Sequence, residues 1–371
     1  MKIFKEAKKN FGFGCMRLPM LDNGEVDTAE FSKMVDAFIH AGFNYFDTAH
    51  GYIKGKSETA IKTSLTSRYL RDSYVLADKL SENFFKTEEE IIPFFESQLE
   101  ACGVEYFDFY LMHAQNKRNY EQYRSCKAYE TALKLKACGK IKHLGISFHD
   151  SAEMLDRILT EYPYVEFVQL QFNYLDFEDE GVQSRKCYEV CRKHGKPIII
   201  MEPVKGGSLA GLPEAAEKEL ARYGGSNASF AIRFAASFEG VFMVLSGMSN
   251  TEQMADNLSF MSDFKPLSED EFASIARVTE IIKSMDIIQC TGCSYCTDGC
   301  PQKIPIPSIF NIVNNSRRYT TYGAKWWYGF QTGGTRGKAS DCIECGQCEA
   351  ICPQKLPIIE LLKNAASELE D

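Results

Sequence analysis

The chain has 371 residues, enough for one large domain or two ordinary ones, with the composition of a soluble globular protein. Its formal net charge of -9 argues against nucleic acid or an anionic membrane as the main partner, since both reward basic surfaces. No apolar stretch approaches the roughly 20 residues of a membrane helix. The start, MKIFKEAKKNFGFG, lacks the apolar run of a signal peptide, so a cytosolic protein is expected.

One pattern recurs over the first 289 residues: a helical stretch ends at glycine and a short β-rich run follows. It occurs at Gly42 before FNYFDTA, Gly103 before VEYFDFYLMH, Gly139 before KIKHLGIS and Gly195 before KPIIIMEP. A glycine just past a helix supplies the left-handed residue that stops it. In the first helix Phe31, Val35 and Phe38 share a face, and Asp27 with Glu30 predicts a capping box. The runs without this glycine, FGFGCMRLP, SYVLADKL, EFVQLQFN and VFMVLSG, bring the candidate strands to eight. Several are apolar throughout, as strands buried on both faces must be. Eight strand-helix units over about 280 residues predict a (β/α)8 TIM barrel. A doubly wound sheet would want a G-x-G-x-x-G turn after the first strand, and none is present.

A barrel collects its reactive residues at the C-terminal ends of its strands. Asp47 ends the second run and Tyr52 follows in the loop; Lys79 ends the third and His113 the fourth. These stretches resemble the aldo/keto reductase superfamily. The matches are F-D-T-A-x-x-Y with Ser57-Glu58 downstream, Lys79, and Y-L-M-H. G-K-I-K-H-L-G-I-S, V-Q-L-Q-F-N-Y and S-G-M-S-N-T-E-Q-M-A-D-N also match, and the resemblance runs from about Phe11 to about Leu258. It implies Tyr52 as the general acid for a carbonyl oxygen, with Lys79 lowering its pKa from near 10. Asp47 would hold Lys79, and His113 would orient the carbonyl or share the proton.

The same resemblance implies a nicotinamide dinucleotide at the barrel mouth. Ser147 and Gln169 match positions that bind the carboxamide, but Phe148 stands where asparagine usually follows the serine. Met201 stands where an aromatic ring often stacks on the nicotinamide, and a thioether can pack there instead. Glu202 replaces a small polar residue, so it would face the substrate or a cluster domain. Gly14, Cys15, Met16, Pro203, Ser246 and Met248 are further implied cofactor neighbours, and Glu252 and Asn257 match adenine contacts. Gly247 and Gln253 fall where many members place basic residues for the 2'-phosphate of NADPH. Main-chain amides at a helix start around Ser249 and Asn250 are the remaining phosphate donors, and Arg233 is a candidate cation for this rim. The cofactor is therefore NADP(H) or NAD(H). Bound flavin is a third option, because it mediates between hydride pairs and single electrons.

Of fourteen cysteines, eight fall in the last 82 residues. Cys290, Cys293, Cys296 and Cys300-Pro301 repeat as Cys342, Cys345, Cys348 and Cys352-Pro353, both C-x2-C-x2-C-x3-C-P. Zinc prefers separated C-x2-C pairs, and a disulfide scaffold would be small and secreted. The runs resemble two-cluster bacterial ferredoxins. That implies one 4Fe-4S cluster on Cys290, Cys293, Cys296 and Cys352, and another on Cys342, Cys345, Cys348 and Cys300. The long segment between the runs carries Tyr319, Tyr322, Trp326, Trp327, Tyr328 and Phe330. It reads as a packed insertion over the clusters, or as a substrate or partner surface.

The expected organisation is thus a reductase-like TIM barrel over 1–285 and a small ferredoxin-like iron-sulfur domain over 286–371. The expected function is hydride transfer between NAD(P)H and a small-molecule carbonyl or alcohol. Hydride chemistry needs no one-electron relay, so the clusters either serve a ferredoxin-like redox partner or act as structural staples. The alternatives are a cluster-based redox sensor with an idle barrel and an electron-transfer protein whose barrel only docks partners.

Overall fold

The computed structural model describes residues 4–318 and 323–370. Eight parallel strands close into a barrel in sequence order. They are β1 (Phe11–Gly14), β2 (Tyr45–Asp47), β3 (Val75–Leu80) and β4 (Phe107–Gln115), then β5 (Ile141–Phe148), β6 (Phe167–Gln171), β7 (Ile198–Met201) and β8 (Val241–Ser246). β1 closes the ring by pairing with both β2 and β8. All four predicted helix-stopping glycines are left-handed, with φ of +85° at Gly42, +67° at Gly103, +74° at Gly139 and +63° at Gly195.

The barrel interior is filled by side chains such as Tyr45, Phe109, Phe167, Ile199 and Leu245. Two glycines make room for the largest of them. A Cβ at Gly145 would lie 2.4 Å from the Phe167 ring, and one at Gly12 would lie 2.6 Å from Leu245.

The first run is shorter as a strand than predicted. β1 ends at Gly14 because the chain leaves the sheet there, although the Cys15 N–H still donates to Asp47 O at 2.8 Å. The predicted capping box of helix Thr28–His40 is half made. Asp27 accepts from the N–H groups of Ala29 and Glu30, but the Glu30 carboxylate turns outward to accept from Thr251 N–H at 3.2 Å. A helix N-terminus elsewhere in the fold has captured it.

Contact density divides the chain into two units. One runs to Asp179 and includes Gln183–Val204 and Ala228–Glu269; the other comprises Glu180–Val182, Lys205–Asn227 and the chain from Asp270 onward. The second unit has its own core, with Ile304, Ile309, Phe310, Val313 and Leu362 at its centre. Its two cysteine runs are halves of a longer repeat: CPQKIPI over 300–306 and CPQKLPI over 352–358. The backbone repeats too. Lys303 and Lys355 are both left-handed, at φ 53° and 52°. Their N–H groups close matching turns onto Cys300 O at 3.0 Å and Cys352 O at 3.1 Å. Among the described residues no helix is long and apolar enough to cross a membrane.

Candidate active site and cysteine clusters

The register of the barrel sets Asp47, Lys79 and His113 at successive strand ends, with Tyr52 in the loop after β2. All four come together. Lys79 is fully buried and donates to Asp47 Oδ1 at 2.7 Å and to Thr48 O at 2.6 Å. Its Nζ lies 4.8 Å from the centre of the Tyr52 ring. The His113 ring stands edge-on to Tyr52, with centroids 5.9 Å apart. His113 Nδ1 shares a hydrogen bond of 2.5 Å with Ser81 Oγ.

Burial controls the protonation of this group. It drives the His113 imidazole well below its usual range, with the Lys79 charge acting the same way, so the ring is neutral. It holds the Asp47 carboxyl above the usual carboxylate range, against the pull of Lys79. The Tyr52 phenol departs from the expected lowering. Burial pushes it well above 10, and the charges of Asp47, Asp78 and Glu202 add to the rise. The Lys79 ammonium is paired with Asp47 at 2.7 Å and lies 4.8 Å from the ring centre, so burial and the carboxylates outweigh the lowering expected from it.

Irregular backbone carries these side chains. Ile53 and Lys54, directly after Tyr52, are left-handed at φ 51° and 55°. Ala114, directly after His113, is left-handed at φ 50° where the β4–β5 register shifts, and its N–H donates to Ser147 Oγ at 2.7 Å. Such conformations in β-branched and long residues persist only where surrounding structure enforces them.

Asp78 lay outside the sequence reading. It accepts from Lys79 N–H at 2.7 Å, and Gln98 Nε2 bridges it to Glu58 at 3.1 and 3.3 Å. Burial and the Glu58 charge hold the Asp78 carboxyl well above its usual range. A charged residue inside the buried run LADK was the available signal.

The implied cofactor residues divide into two groups. Ser147 and Gln169 are register partners on β5 and β6, and both are buried. Gln169 Nε2 donates to the Met201 sulfur at 3.5 Å, while Gln169 Oε1 is buried without a hydrogen-bond partner. A buried carbonyl left open is what a ligand amide needs. Gly14, Cys15 and Met16 leave the end of β1, and Pro203 is buried two residues past β7. Ser246 ends β8 and accepts from Asn257 Nδ2 at 3.1 Å; Met248 is fully buried, and Gly247 and Glu252 are exposed.

Three of the amides at the start of helix Thr251–Met261 are already taken. Gln253 Oε1 takes the Ser249 N–H at 2.8 Å, Asn250 caps the Gln253 N–H at 2.9 Å, and Glu30 takes Thr251 N–H. Arg233 is tied to Lys265 O at 3.0 Å. The cation beside Gly247 is instead Arg17, which the sequence reading passed over; a Cβ on Gly247 would lie 3.4 Å from its side chain. Arg17 also pairs with Glu202 at 3.4 Å.

In the second unit, Cys300, Cys342, Cys345 and Cys348 line one pocket. The Cys296 thiol is raised by burial and then by the charges of Cys293, Cys290 and Cys352. Two groups of four soft donors, each drawing one cysteine from the other run, fit two iron-sulfur cubanes. Gly292 N–H donates to Cys290 Sγ at 3.4 Å, a bond that stabilises a thiolate ligand.

The aromatic insertion is only partly packed. Tyr328 is buried, accepts from Ala339 N–H at 2.7 Å and donates to Glu370. Trp326, Trp327 and Phe330 on the helix Ala324–Gln331 are 67%, 41% and 60% exposed, and the rings of Trp326 and Phe330 stack at 6.1 Å. Helical spacing places these three away from Tyr328. Tyr319 and Tyr322 lie outside the described residues.

Comparison with known proteins places this geometry in a wider group. The family model for the aldo/keto reductase family matches residues 10–280, and that for the 4Fe-4S dicluster domain matches 289–356. The chain is 25% identical over 276 residues to the 9,11-endoperoxide prostaglandin H2 reductase of Trypanosoma cruzi, covering 71% of this chain and 89% of that protein. Among solved structures, an aldo-keto reductase from Klebsiella pneumoniae in complex with NADPH superposes with a TM-score of 0.59 at 20% identity, covering 73% of this chain and 90% of the other. The holo form of an aldo-keto reductase from Bacillus halodurans superposes at 0.58 with 23% identity, covering 72% and 91%.

Proposed function

The chain belongs to the aldo/keto reductase family and carries a 4Fe-4S dicluster segment C-terminal to its barrel; from that premise we propose that it moves hydride between a nicotinamide dinucleotide and a carbonyl or alcohol, with Tyr52 as general acid and two clusters exchanging single electrons with a ferredoxin-like partner, a bound flavin converting between electron pairs and single electrons. Residues 1–285 carry the reductase in this reading and 286–371 the clusters. The observation that carries it is the convergence of Tyr52, Lys79, Asp47 and His113 at one end of the barrel.

When bound, the nicotinamide supplies hydride and the clusters supply single electrons. The chain's own residues supply the rest. The raised Tyr52 phenol stays protonated at neutral pH and is ready to donate to a carbonyl oxygen that is gaining charge. Lys79, fixed by Asp47 and the Thr48 carbonyl, limits the cost of the phenolate that remains. Neutral His113, bonded at Nδ1 to Ser81, keeps Nε2 for the substrate oxygen. The open Gln169 Oε1 and the Ser147 hydroxyl are the partners for the carboxamide.

NADP(H) and NAD(H) both remain candidates. The NADPH complex of the Klebsiella pneumoniae protein speaks for the first, and the filled amides of helix Thr251–Met261 for the second. Exposure of Cys345, with Ile343 57% exposed beside it, supports exchange with an external partner, because electron transfer needs close approach to a cluster.

The test is Tyr52→Phe. Carbonyl reduction should fall by at least a hundredfold, in line with the loss of a general acid, while dinucleotide binding by fluorescence titration is retained. Unchanged rates would sink the assignment.

A further inference from the structure

Lys205 is an unusual cation. It is 1% exposed and follows β7 on a turn with three consecutive left-handed residues: φ is 48° at Lys205, 64° at Gly206 and 99° at Gly207. The turn is wedged against the chain that carries the first cysteine run. A Cβ at Gly206 would lie 2.1 Å from Thr291 O, and Thr291 adjoins Cys290. Lys205 Nζ reaches Gln354 Oε1 at 2.5 Å, and Gln354 lies two residues beyond Cys352. Ammonium and turn therefore sit against the two stretches that supply Cys290 and Cys352, both assigned to the first cluster.

Gln354 carries a second signal. It is 9% exposed, and its Nε2 is buried with no hydrogen-bond partner. An ammonium only donates, so it must face the amide oxygen and leaves the amide NH2 pointing elsewhere. A buried donor of this kind is costly unless an acceptor arrives. A cluster held by four thiolates is anionic, and its sulfurs accept hydrogen bonds that tune its potential. Reduction adds a further negative charge, which a nearby cation and N–H donor both favour.

We propose that Lys205 and Gln354 form a tuning pair for the cluster of Cys290, Cys293, Cys296 and Cys352: the ammonium fixes the amide so that Nε2 donates to a cluster sulfur, and together they stabilise the reduced cluster. The inference rests on the two-cluster reading given above. Gln302 occupies the matching position of the repeat and lines the cavity of the other four cysteines, so it serves as an internal control.

The experiment is an EPR-monitored redox titration of the anaerobically reconstituted full-length protein, with iron and sulfide analysis. Wild type, Lys205→Met, Lys205→Arg, Gln354→Leu and Gln302→Leu are compared. Lys205→Met and Gln354→Leu should lower one midpoint potential so that its oxidised-to-reduced ratio changes about tenfold, which is 59 mV for one electron. Lys205→Arg should restore it, and Gln302→Leu should leave it in place. Unmoved potentials in fully loaded Gln354→Leu overturn the proposal, as does an arginine variant that behaves like the methionine one. If Lys205→Met fails to load, Gln354→Leu and Lys205→Arg decide by the same criteria. Wild-type iron content separately tests the two-cluster reading: about four irons per chain instead of about eight would end it, and a lone centre unmoved by Gln354→Leu would overturn the tuning pair as well.

Discussion

Tyr52 shows how one side chain takes its chemistry from its neighbours. A free phenol titrates near 10. Here burial removes water from the phenolate, and Asp47, Asp78 and Glu202 add like charge, so the value moves well above that. The sign has a kinetic consequence. Carbonyl reduction uses the protonated phenol, which is fully present across neutral pH, so its rate should be flat from about pH 6 to 9. Alcohol oxidation uses the phenolate as base, a minority species over the same range, so its rate should climb about tenfold per pH unit without reaching a plateau below pH 10. Parallel pH profiles of the two directions check this. A plateau in oxidation near pH 7 would mean that the bound dinucleotide, together with Lys79, has reversed the balance, and Tyr52 would then be poised for either direction.

At the scale of the strand, the barrel is held by close fits that a hydrophobic pattern marks only coarsely. The eight runs were legible because a parallel strand buried on both faces has to be apolar, as IIIM of β7 is. The fit of Gly145 under the Phe167 ring was not, since it depends on which residues of neighbouring strands meet in register. Gly145→Ala should cost about 1–3 kcal/mol by overpacking, measured by urea unfolding. Adding Phe167→Leu should recover part of that loss, because the two sites share one space. The candidate site follows the same rule. Asp47, Tyr52, Lys79 and His113 could be read from strand ends. Arg17 and Lys205 could not, because their significance lies in contacts to Gly247 and Gln354, far off in the chain, and Asp78 was marked only as a charge inside the apolar run LADK. The repeat in the second unit lies between these cases. Cysteine spacing marks it only as far as Pro301 and Pro353, although the match continues through Ile306 and Ile358.

At the scale of the whole chain, two units with separate cores need not melt as one. In the second unit the helices Tyr295–Asp298 and Gln347–Ile351 are short, and each carries one of the proposed cluster ligands, so in the two-cluster reading metal binding and folding would be coupled there. Cys293→Ser combined with Cys345→Ser removes one assigned ligand from each cluster without touching Asp47, Tyr52, Lys79 or His113. Calorimetry should then lose or lower the transition of the second unit while the barrel transition holds. Turnover separates relay from staple. Reducing one carbonyl takes two electrons, so two clusters delivering one each match a single turnover. With NADPH as donor the double variant should keep carbonyl reduction within about twofold. With reduced methyl viologen as the only reductant, and with flavin bound and oxidised dinucleotide present, wild type should consume two viologens and two protons per carbonyl and the variant should be inactive. If the variant matches wild type with both donors, electrons never passed through the clusters, and their role is to hold the second unit together.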